Sequence, residues 1–259
     1  MNWIDPILIN IGPISIHWYG VMYALTFIIA YFLIHKSRIT KSLELDSNQK
    51  DNFIITVILG IILGGRIGYI LFYNLEYYLE NPLKMLFVWE GGLSFHGGLL
   101  GVMIALFYFS KKHQIKFLKL SDIVTLIAPI GIFFGRLGNF INGELYGRTA
   151  ETFCLYFPTD PENCRYPSQL FEGLSEGLLL FIILYLINKK SPRHGIISAV
   201  FLILYGVFRV IAENFRQPDP QIGFIARSLT LGQILSSLMI ISGIILYIFI
   251  RKGYNKKIT

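Results

Sequence analysis

Apolar stretches of about 20 residues recur along the whole sequence, separated by short polar segments. As a helix, each stretch is long enough to cross the ~30 Å hydrocarbon core of a bilayer. Only 15% of the residues are charged, whereas a soluble domain usually carries about a quarter. The sequence therefore predicts an all-α membrane protein, a polytopic helical bundle of about seven transmembrane helices.

No polar segment is long enough to form a separate soluble domain, so we expect one integral membrane domain over residues 1–259. We predict seven helices at residues 16–35, 53–73, 93–110, 121–141, 168–187, 195–213 and 230–250. The connection at residues 143–167 is predicted to form a small external cap. Its two cysteines, Cys154 and Cys164, could form a disulfide there, because an external segment lies in an oxidising compartment.

The 23 lysines and arginines are unevenly distributed between the two sides of the predicted bundle. Fifteen of them lie in alternate connections and the C-terminal tail: Lys36, Arg38, Lys41, Lys50, Lys111, Lys112, Lys116, Lys119, Lys189, Lys190, Arg193, Arg251, Lys252, Lys256 and Lys257. The opposite side carries five: Lys84, Arg148, Arg165, Arg216 and Arg227. The positive-inside rule then predicts an external N-terminus and a cytoplasmic C-terminus. The +7 net charge consists largely of these topology signals and does not indicate a nucleic-acid partner.

Three arginines, Arg66, Arg136 and Arg209, fall inside apolar helices. An arginine in the centre of a span costs about 2.5–3.5 kcal/mol on insertion scales and is by default a functional-site hypothesis. At a rise of ~1.5 Å per residue, each lies about 20 Å from the cytoplasmic end of its helix, in the outer third of the bilayer core. Three carboxylates are expected at the same depth: Glu172, Glu176 and Glu213. This charged layer predicts a site for an anionic ligand near the depth of the outer-leaflet phosphates.

Helical spacing indicates which polar side chains share a face. Tyr205, Arg209 and Glu213 recur every four residues and form one stripe. Arg136 and Asn139 share a face at the end of the fourth predicted helix. His96 and Tyr19 are expected about one turn inside the outer ends of their helices. The glycines beside these residues are predicted to permit close backbone approach at 135 and 138, and to leave open space beside the imidazole at 91–92 and 97–98.

Residues 135–147 read Gly-Arg-Leu-Gly-Asn-Phe-Ile-Asn-Gly-Glu-Leu-Tyr-Gly, which resembles the signature of bacterial prolipoprotein diacylglyceryl transferases. Further matches to that family lie at residues 17–20, 92–98, 204–209 and 213, and 216–219. The resemblance implies transfer of the diacylglyceryl group of phosphatidylglycerol to the lipobox cysteine thiol of a prolipoprotein signal peptide. A thioether forms and glycerol phosphate leaves. It further implies a bacterial inner-membrane enzyme that needs no metal or other cofactor.

The chemistry of that reaction assigns roles to the polar residues. A thiol attacks as the thiolate, and His96 is suited to act as its base. Arg136 and Arg209 can stabilise the negative charge that builds on the phosphate oxygens. The candidate catalytic residues are therefore His96, Arg136, Arg209 and Tyr19. The candidate substrate-binding residues are Arg136, Asn139, Glu144, Gly147, Tyr205 and Glu213, of which the glutamates are expected chiefly to hold the arginines in place.

Other interpretations of the same residues remain open. A transporter or flippase for an anionic lipid or solute would also explain buried arginines, although transporters usually bind near the midplane of the bilayer. A membrane scaffold would not explain three arginines at one depth. Individually, Arg66 could be structural, Tyr19 could be an interfacial aromatic residue, and Glu172 with Glu176 could be counter-ions only.

Overall fold

The computed structural model describes residues 3–12, 14–36, 45–218, 224–225 and 229–255. Six residues named above or included in a range there lie outside the described residues: Arg38, Lys41, Asp219, Arg227, Lys256 and Lys257. The chain divides into two compact units, Met1–Ala30 with Asp122–Thr259 and Tyr31–Ser121. The expectation of one membrane domain remains a prediction.

Helices dominate the structure and occur at all seven predicted positions. They are α1 Trp18–Lys36, α2 Ser47–Tyr73, α3 Leu75–Glu80, α4 Phe95–His113, α5 Phe117–Ile141, α6 Ser168–Glu172, α7 Leu180–Asn188, α8 Ile196–Ala212 and α9 Leu231–Asn255. A π-helical segment, Gly173–Leu179, joins α6 to α7. Within the described residues, five helices are long and apolar enough to cross a membrane, and Ile196–Ala212 is a shorter apolar helix. The predicted all-α, multi-pass membrane class is confirmed.

In the unit Tyr31–Ser121, helices α2 and α4 pack through glycines. A Cβ atom added to Gly68 would lie 2.7 Å from the Cα of Gly97, and one added to Gly64 would lie 2.7 Å from the Cα of Gly101. Only residues without side chains allow two helix backbones to approach this closely. Gly97 was expected to leave space beside His96; instead it is buried between these two helices.

Two aspartates accept hydrogen bonds at helix N-termini and so determine where those helices begin. Helix α2 begins six residues before the predicted start at 53. The reason is a capping box, in which the Asp46 side chain accepts a hydrogen bond from the Gln49 backbone N–H at 2.8 Å. Helix α8 begins where Asp122 of α5 accepts hydrogen bonds from the backbone N–H and hydroxyl of Ser198, each at 2.8 Å. A carboxylate at a helix N-terminus satisfies donors that have no partner within the helix.

The predicted cap belongs to the other unit and contains a short antiparallel hairpin, β3 Leu155–Phe157 and β4 Asp160–Arg165. Cys154 and Cys164 form a disulfide beside it. The indole of Trp3 packs against Phe157 with ring centroids 5.0 Å apart and donates a hydrogen bond to the Ile141 carbonyl at 2.8 Å. The N-terminal segment is thereby attached to the cap.

Two further hairpins were not predicted from the sequence. One is formed by β1 Ile7–Ile11 and β2 Ile14–His17, immediately before α1. The other is formed by β5 Phe224–Ile225 and β6 Leu229–Thr230, immediately before α9. Both are short antiparallel pairs whose strands lead directly into a long apolar helix.

Candidate functional site

Three arginines and three glutamates meet in the unit Met1–Ala30 with Asp122–Thr259. We call them the Arg–Glu cluster: Arg136, Arg209, Arg216, Glu172, Glu176 and Glu213. The predicted convergence of Arg136 and Arg209 with the three carboxylates is therefore present within this unit. The third arginine of the cluster is Arg216, which was predicted to lie in an external connection, and not Arg66.

Glu172 is the centre of the cluster. Its side chain is fully buried, and its Oε2 atom lies 3.0 Å from Arg136 Nε and 2.8 Å from Arg209 Nη1. The other oxygen, Oε1, lies 3.4 Å from Arg216 Nη1. One carboxylate thus fixes three guanidinium groups that come from α5, from α8 and from the segment after α8. Removing a charge with so many buried partners would leave several uncompensated cations.

The predicted stripe on α8 is confirmed where it concerns Arg209 and Glu213. Arg209 Nη2 donates to Glu213 Oε1 at 2.6 Å, which is the i, i+4 pair that the spacing predicted. The second oxygen of Glu213 accepts a hydrogen bond from the Thr230 hydroxyl at 2.7 Å. Gly232 lies against the same carboxylate, where a side chain would have no room. Both oxygens of Glu213 are therefore fixed.

The helix that carries Glu172 and Glu176 is not a regular α-helix. It widens into the π-helical segment Gly173–Leu179, a register that often marks functional positions. Gly177 allows the segment to lie directly on α5, because a Cβ atom there would be 2.7 Å from the Cβ of Phe133. The hydrophobic pattern alone predicts one continuous helix and gives no sign of the π-helical segment.

The signature residues connect Arg136 to the start of the cap. Arg136 Nη1 donates to the side-chain oxygen of Asn139 at 3.4 Å, and the Asn139 amide donates to Glu144 Oε1 at 2.9 Å. The Asn142 amide reaches the same carboxylate oxygen at 3.3 Å. Glu144 was expected to help hold the arginines in place. It contacts Arg136 through Asn139, since the chain turns away from α5 after Ile141.

Gly147 ends the signature and is buried where two backbone segments meet. Its N–H donates to the Tyr166 carbonyl at 2.8 Å, and a side chain at this position would collide with the Phe215 carbonyl. Arg148 Nε donates to the Arg216 carbonyl at 3.0 Å. These bonds attach the cap to the end of α8 and bring Arg216 towards Glu172. They indicate a structural role for Gly147, and its contact with substrate remains a prediction.

The two candidate tyrosines lie beside the cluster helices. The ring of Tyr19 covers Gly138, where an added Cβ atom would be 2.6 Å from the ring. Its hydroxyl lies 3.4 Å from that of Tyr23. Tyr205 stacks on Phe201 with ring centroids 5.6 Å apart, one turn before Arg209. Close approach at Gly138 was predicted correctly, whereas Gly135 has open space around it and makes no such approach.

Arg66 belongs to the other unit and has a different environment. Within the described part of the chain, its guanidinium donates only to backbone carbonyls, including those of Met85 at 3.0 Å and Gly91 at 2.6 Å, and it lies 4.9 Å from the ring centre of Tyr78. The prediction that all three intramembrane arginines are balanced by glutamates is therefore wrong for Arg66. Carbonyl oxygens satisfy its donors without a carboxylate.

His96 lies in the first turn of α4, and its side chain is exposed. Ser94 caps the N-terminus of the helix, and its hydroxyl accepts a hydrogen bond from the Gly97 backbone N–H at 3.2 Å. Gly91 and Gly92 precede it with φ of 87° and 77°, a backbone region that favours glycine. His96 and the Arg–Glu cluster are in different units, so their predicted participation in one site remains a prediction.

The fold and the buried cluster define a multi-pass membrane protein with an ion-pair site built on Glu172 and on the arginines at 136, 209 and 216 that contact it. A family model described as prolipoprotein diacylglyceryl transferase matches residues 6–249. The chain therefore belongs to the prolipoprotein diacylglyceryl transferase family. This confirms the resemblance inferred from the signature, and with it a transferase.

Relatives extend over nearly the full length of the chain. A phosphatidylglycerol–prolipoprotein diacylglyceryl transferase from Desulfotalea psychrophila is 46% identical over 263 residues, covering 99% of this chain and 96% of the relative. The corresponding protein of Geobacter sulfurreducens is 44% identical and covers 96% of each chain. That of Francisella tularensis subsp. novicida is 46% identical, covering 98% of this chain and 96% of the relative.

Proposed function

We propose that this protein transfers the diacylglyceryl group of phosphatidylglycerol to a cysteine thiol of a prolipoprotein. The thiolate sulfur bonds to the glycerol carbon of the lipid, the bond from that carbon to the phosphate oxygen breaks, and glycerol phosphate leaves. The thiol proton is taken up by a base. The observation that carries the proposal is the Arg–Glu cluster. Two of its guanidinium groups, those of Arg136 and Arg209, belong to the segments that resemble this transferase family.

Arg136 is suited to bind the phosphate of the lipid. Its Nε atom is held by Glu172 and its Nη1 atom by Asn139, so the plane of the guanidinium is fixed. Among the described residues, no group accepts a hydrogen bond from its second terminal nitrogen, Nη2, and the side chain is 20% exposed. A fixed, partly accessible donor stabilises developing negative charge without reorganisation during the reaction. Arg209 is held by carboxylates through both terminal nitrogens and contributes mainly its charge.

We assign His96 as the base that takes the thiol proton. Its imidazole is exposed, and histidine is the side-chain type best suited to accept a proton near neutral pH. Tyr19, Tyr205 and Asn139 are proposed to hydrogen-bond the glycerol and phosphate groups. Glu144, Gly147 and Glu213 are proposed to complete the binding site by fixing these residues and the backbone around them.

We further propose a location and an orientation. The protein is assigned to the bacterial inner membrane, with its N-terminus outside, its C-terminus in the cytoplasm and its site in the outer leaflet of the bilayer. The uneven distribution of lysine and arginine supports this orientation. A tag within residues 150–165 should be labelled from outside, whereas tags at 189–193 and at the C-terminus should be protected. External labelling of the C-terminus would contradict the orientation.

One assay tests the proposed function. Purified protein is incubated with phosphatidylglycerol and a peptide that contains a lipobox cysteine, and the mass of the peptide is followed. The peptide should gain a diacylglyceryl group while glycerol phosphate is released in equal amount. A matched peptide with serine in place of cysteine should gain nothing. A protein that moves lipid across the membrane unchanged, with no release of glycerol phosphate, would support the transporter alternative instead.

A further inference from the structure

Glu176 is the member of the Arg–Glu cluster whose carboxyl group lacks hydrogen bonds. Its side chain is fully buried, and among the described residues neither carboxyl oxygen has a hydrogen-bond partner. The nearest cationic atom is Arg209 Nη1, at 3.7 Å from Oε1. That nitrogen already donates to Glu172 at 2.8 Å. An ionised carboxylate in such a place would be strongly disfavoured.

The other carboxylates of the cluster differ from Glu176. Glu172 is ion-paired with three arginines, and Glu213 accepts hydrogen bonds from Arg209 and from a threonine hydroxyl. Glu172 also precedes Glu176 by one turn of the same helix, so two negative charges would share Arg209 Nη1. Of two neighbouring carboxyl groups, the one with fewer hydrogen bonds retains its proton more readily.

Among the described residues, the charged and titratable groups that interact electrostatically with Glu176 are Glu172 on its own helix, Arg136 on α5, Tyr205 and Arg209 on α8, and Arg216 after α8. If Glu176 carries a proton, the three arginines of the cluster face two ionised carboxylates, Glu172 and Glu213, and one positive charge remains. At the edge of the cluster, Glu144 and Arg148 carry opposite charges.

We propose that Glu176 is a proton-bearing carboxylic acid that leaves the cluster with one net positive charge. This charge selects a ligand with a single negative charge, the phosphodiester of an anionic phospholipid. Glu176 is thus a positioning residue, because it acts through Arg136 and Arg209 on the ligand. The inference rests on the proposed function in taking phosphatidylglycerol as that ligand.

The test is the pH dependence of phosphatidylglycerol binding to the purified protein in uncharged detergent, from about pH 5 to about pH 9, a range that begins above the ordinary pKa of a glutamate side chain. The phosphodiester stays ionised throughout this range. Once Glu176 ionises, the unaltered protein should lose affinity by up to about tenfold per pH unit. Glu176→Gln keeps the neutral form at every pH, so its affinity should not fall. Ser175→Ala, on the same segment, should behave as the unaltered protein does.

Both measurements are repeated in a His96→Asn background, which removes the proposed base, and the difference between Glu176 and Gln should persist there. Affinity of the unaltered protein that is constant with pH would overturn the inference, even if the glutamine variant does not fold. Loss of binding by folded Glu176→Gln at every pH would overturn it as well, since an ionised carboxylate would then be required. Release of glycerol phosphate is measured separately: pH-dependent binding without release would refute only the proposed function.

Discussion

Arg66 and Arg136 produce the same signal in the sequence, a glycine followed by an arginine within an apolar helix, yet their surroundings differ. The guanidinium of Arg66 donates to five backbone carbonyls, those of Lys84, Met85, Phe87, Gly91 and Gly92. The guanidinium of Arg136 is shared between a carboxylate and an amide oxygen. An arginine inside an apolar helix therefore indicates a structural or functional position. The kind of acceptor around it distinguishes a structural arginine from one that can bind a ligand.

The two environments leave different capacities for a ligand. Arg66 is 4% exposed and bonded through all three of its nitrogens, so it fixes the backbone between α3 and α4. Arg136 is held in place by fewer bonds and retains a terminal nitrogen with no acceptor among the described residues. We therefore expect substitutions of Arg136 to affect chemistry and substitutions of Arg66 to affect stability.

The largest expected effect concerns Arg136. Arg136→Ala and Arg136→Lys should each lower the rate of diacylglyceryl transfer by about 10²–10³-fold, the usual loss when a donor to a developing anion is removed. Lysine should not rescue the rate, because an ammonium cannot bind Glu172, Asn139 and a phosphate oxygen in one plane. The rate is measured as glycerol phosphate released per folded molecule. Arg251→Lys is the matched control, and near-normal transfer by Arg136→Lys would remove the distinction from Arg66.

The second largest effect is expected at His96, which follows the backbone segment that Arg66 fixes between α3 and α4. His96→Asn should lower transfer by about 10²-fold, as expected for a general base. Raising the pH should partly restore the rate, because more of the substrate cysteine is then thiolate without a base. Transfer rates are measured over a pH series with lipid binding as the control. A variant that has lost lipid binding and is inactive at every pH would point to a packing role.

Arg66→Lys should mainly affect stability. A lysine has three donors at one atom and cannot reach carbonyls spread from Lys84 to Gly92, so some of them would remain buried without donors. Each unsatisfied group costs about 1–3 kcal/mol, and the thermal unfolding temperature in detergent should fall. Transfer per folded molecule should fall far less than for Arg136→Lys. A stable but inactive Arg66→Lys protein would contradict this assignment.

Much of this structure could be predicted from the sequence because the relevant patterns are local. The helices follow from apolar runs, the Arg209–Glu213 pair from a spacing of four, and close approach at Gly138 from its lack of a side chain. The environment of Arg66 could not be predicted, because every residue has a backbone carbonyl and no residue type marks the five that bind it.

Two parts of the cluster were missed for another reason. The π-helical segment depends on the hydrogen-bond register, which the hydrophobic pattern does not encode. Arg216 reaches Glu172 only because the cap holds the segment after α8 by backbone hydrogen bonds, such as that from the Arg148 N–H to the Phe215 carbonyl. The resemblance includes residues 216–219, and this was the one signal that could have added Arg216 to the site.

The disulfide lies in the cap, so its removal tests whether the cap supports the Arg–Glu cluster. Arg66 lies in the other unit, and its contacts should not be affected. Replacing Cys154 and Cys164 with serine should lower stability by about 2–4 kcal/mol, the usual range for a disulfide. Transfer per folded molecule should remain largely intact, since neither sulfur lies in the cluster. Thermal unfolding with and without reductant measures the effect, and the double variant should no longer respond to reductant. Complete loss of turnover in folded protein would instead implicate a thiol in catalysis.

The smallest effect is expected at an ion pair in the cap, Arg165 with Asp160, whose side chains are each 15% exposed and whose Nη2–Oδ2 distance is 2.6 Å. A hydrogen bond from Asn163, together with Arg165, holds the pKa of Asp160 below its ordinary value. A lowered pKa in the folded state stabilises the protein at neutral pH, and this contribution disappears as the pH falls through that pKa. Asp160→Asn should therefore unfold at a slightly lower temperature at neutral pH and at the same temperature as the unaltered protein in acid.

The effect of salt on stability should distinguish this ion pair from the buried cluster, because salt screens exposed ion pairs much more than buried ones. The small difference between Asp160→Asn and the unaltered protein should shrink at high salt, whereas a defect caused by Glu172→Gln should persist. Glu162→Gln, on the same strand as Asp160, is the matched control for loss of a carboxylate from the cap. If the effect of Asp160→Asn were as insensitive to salt as that of Glu172→Gln, solvent access would not explain the difference between these two arginine environments.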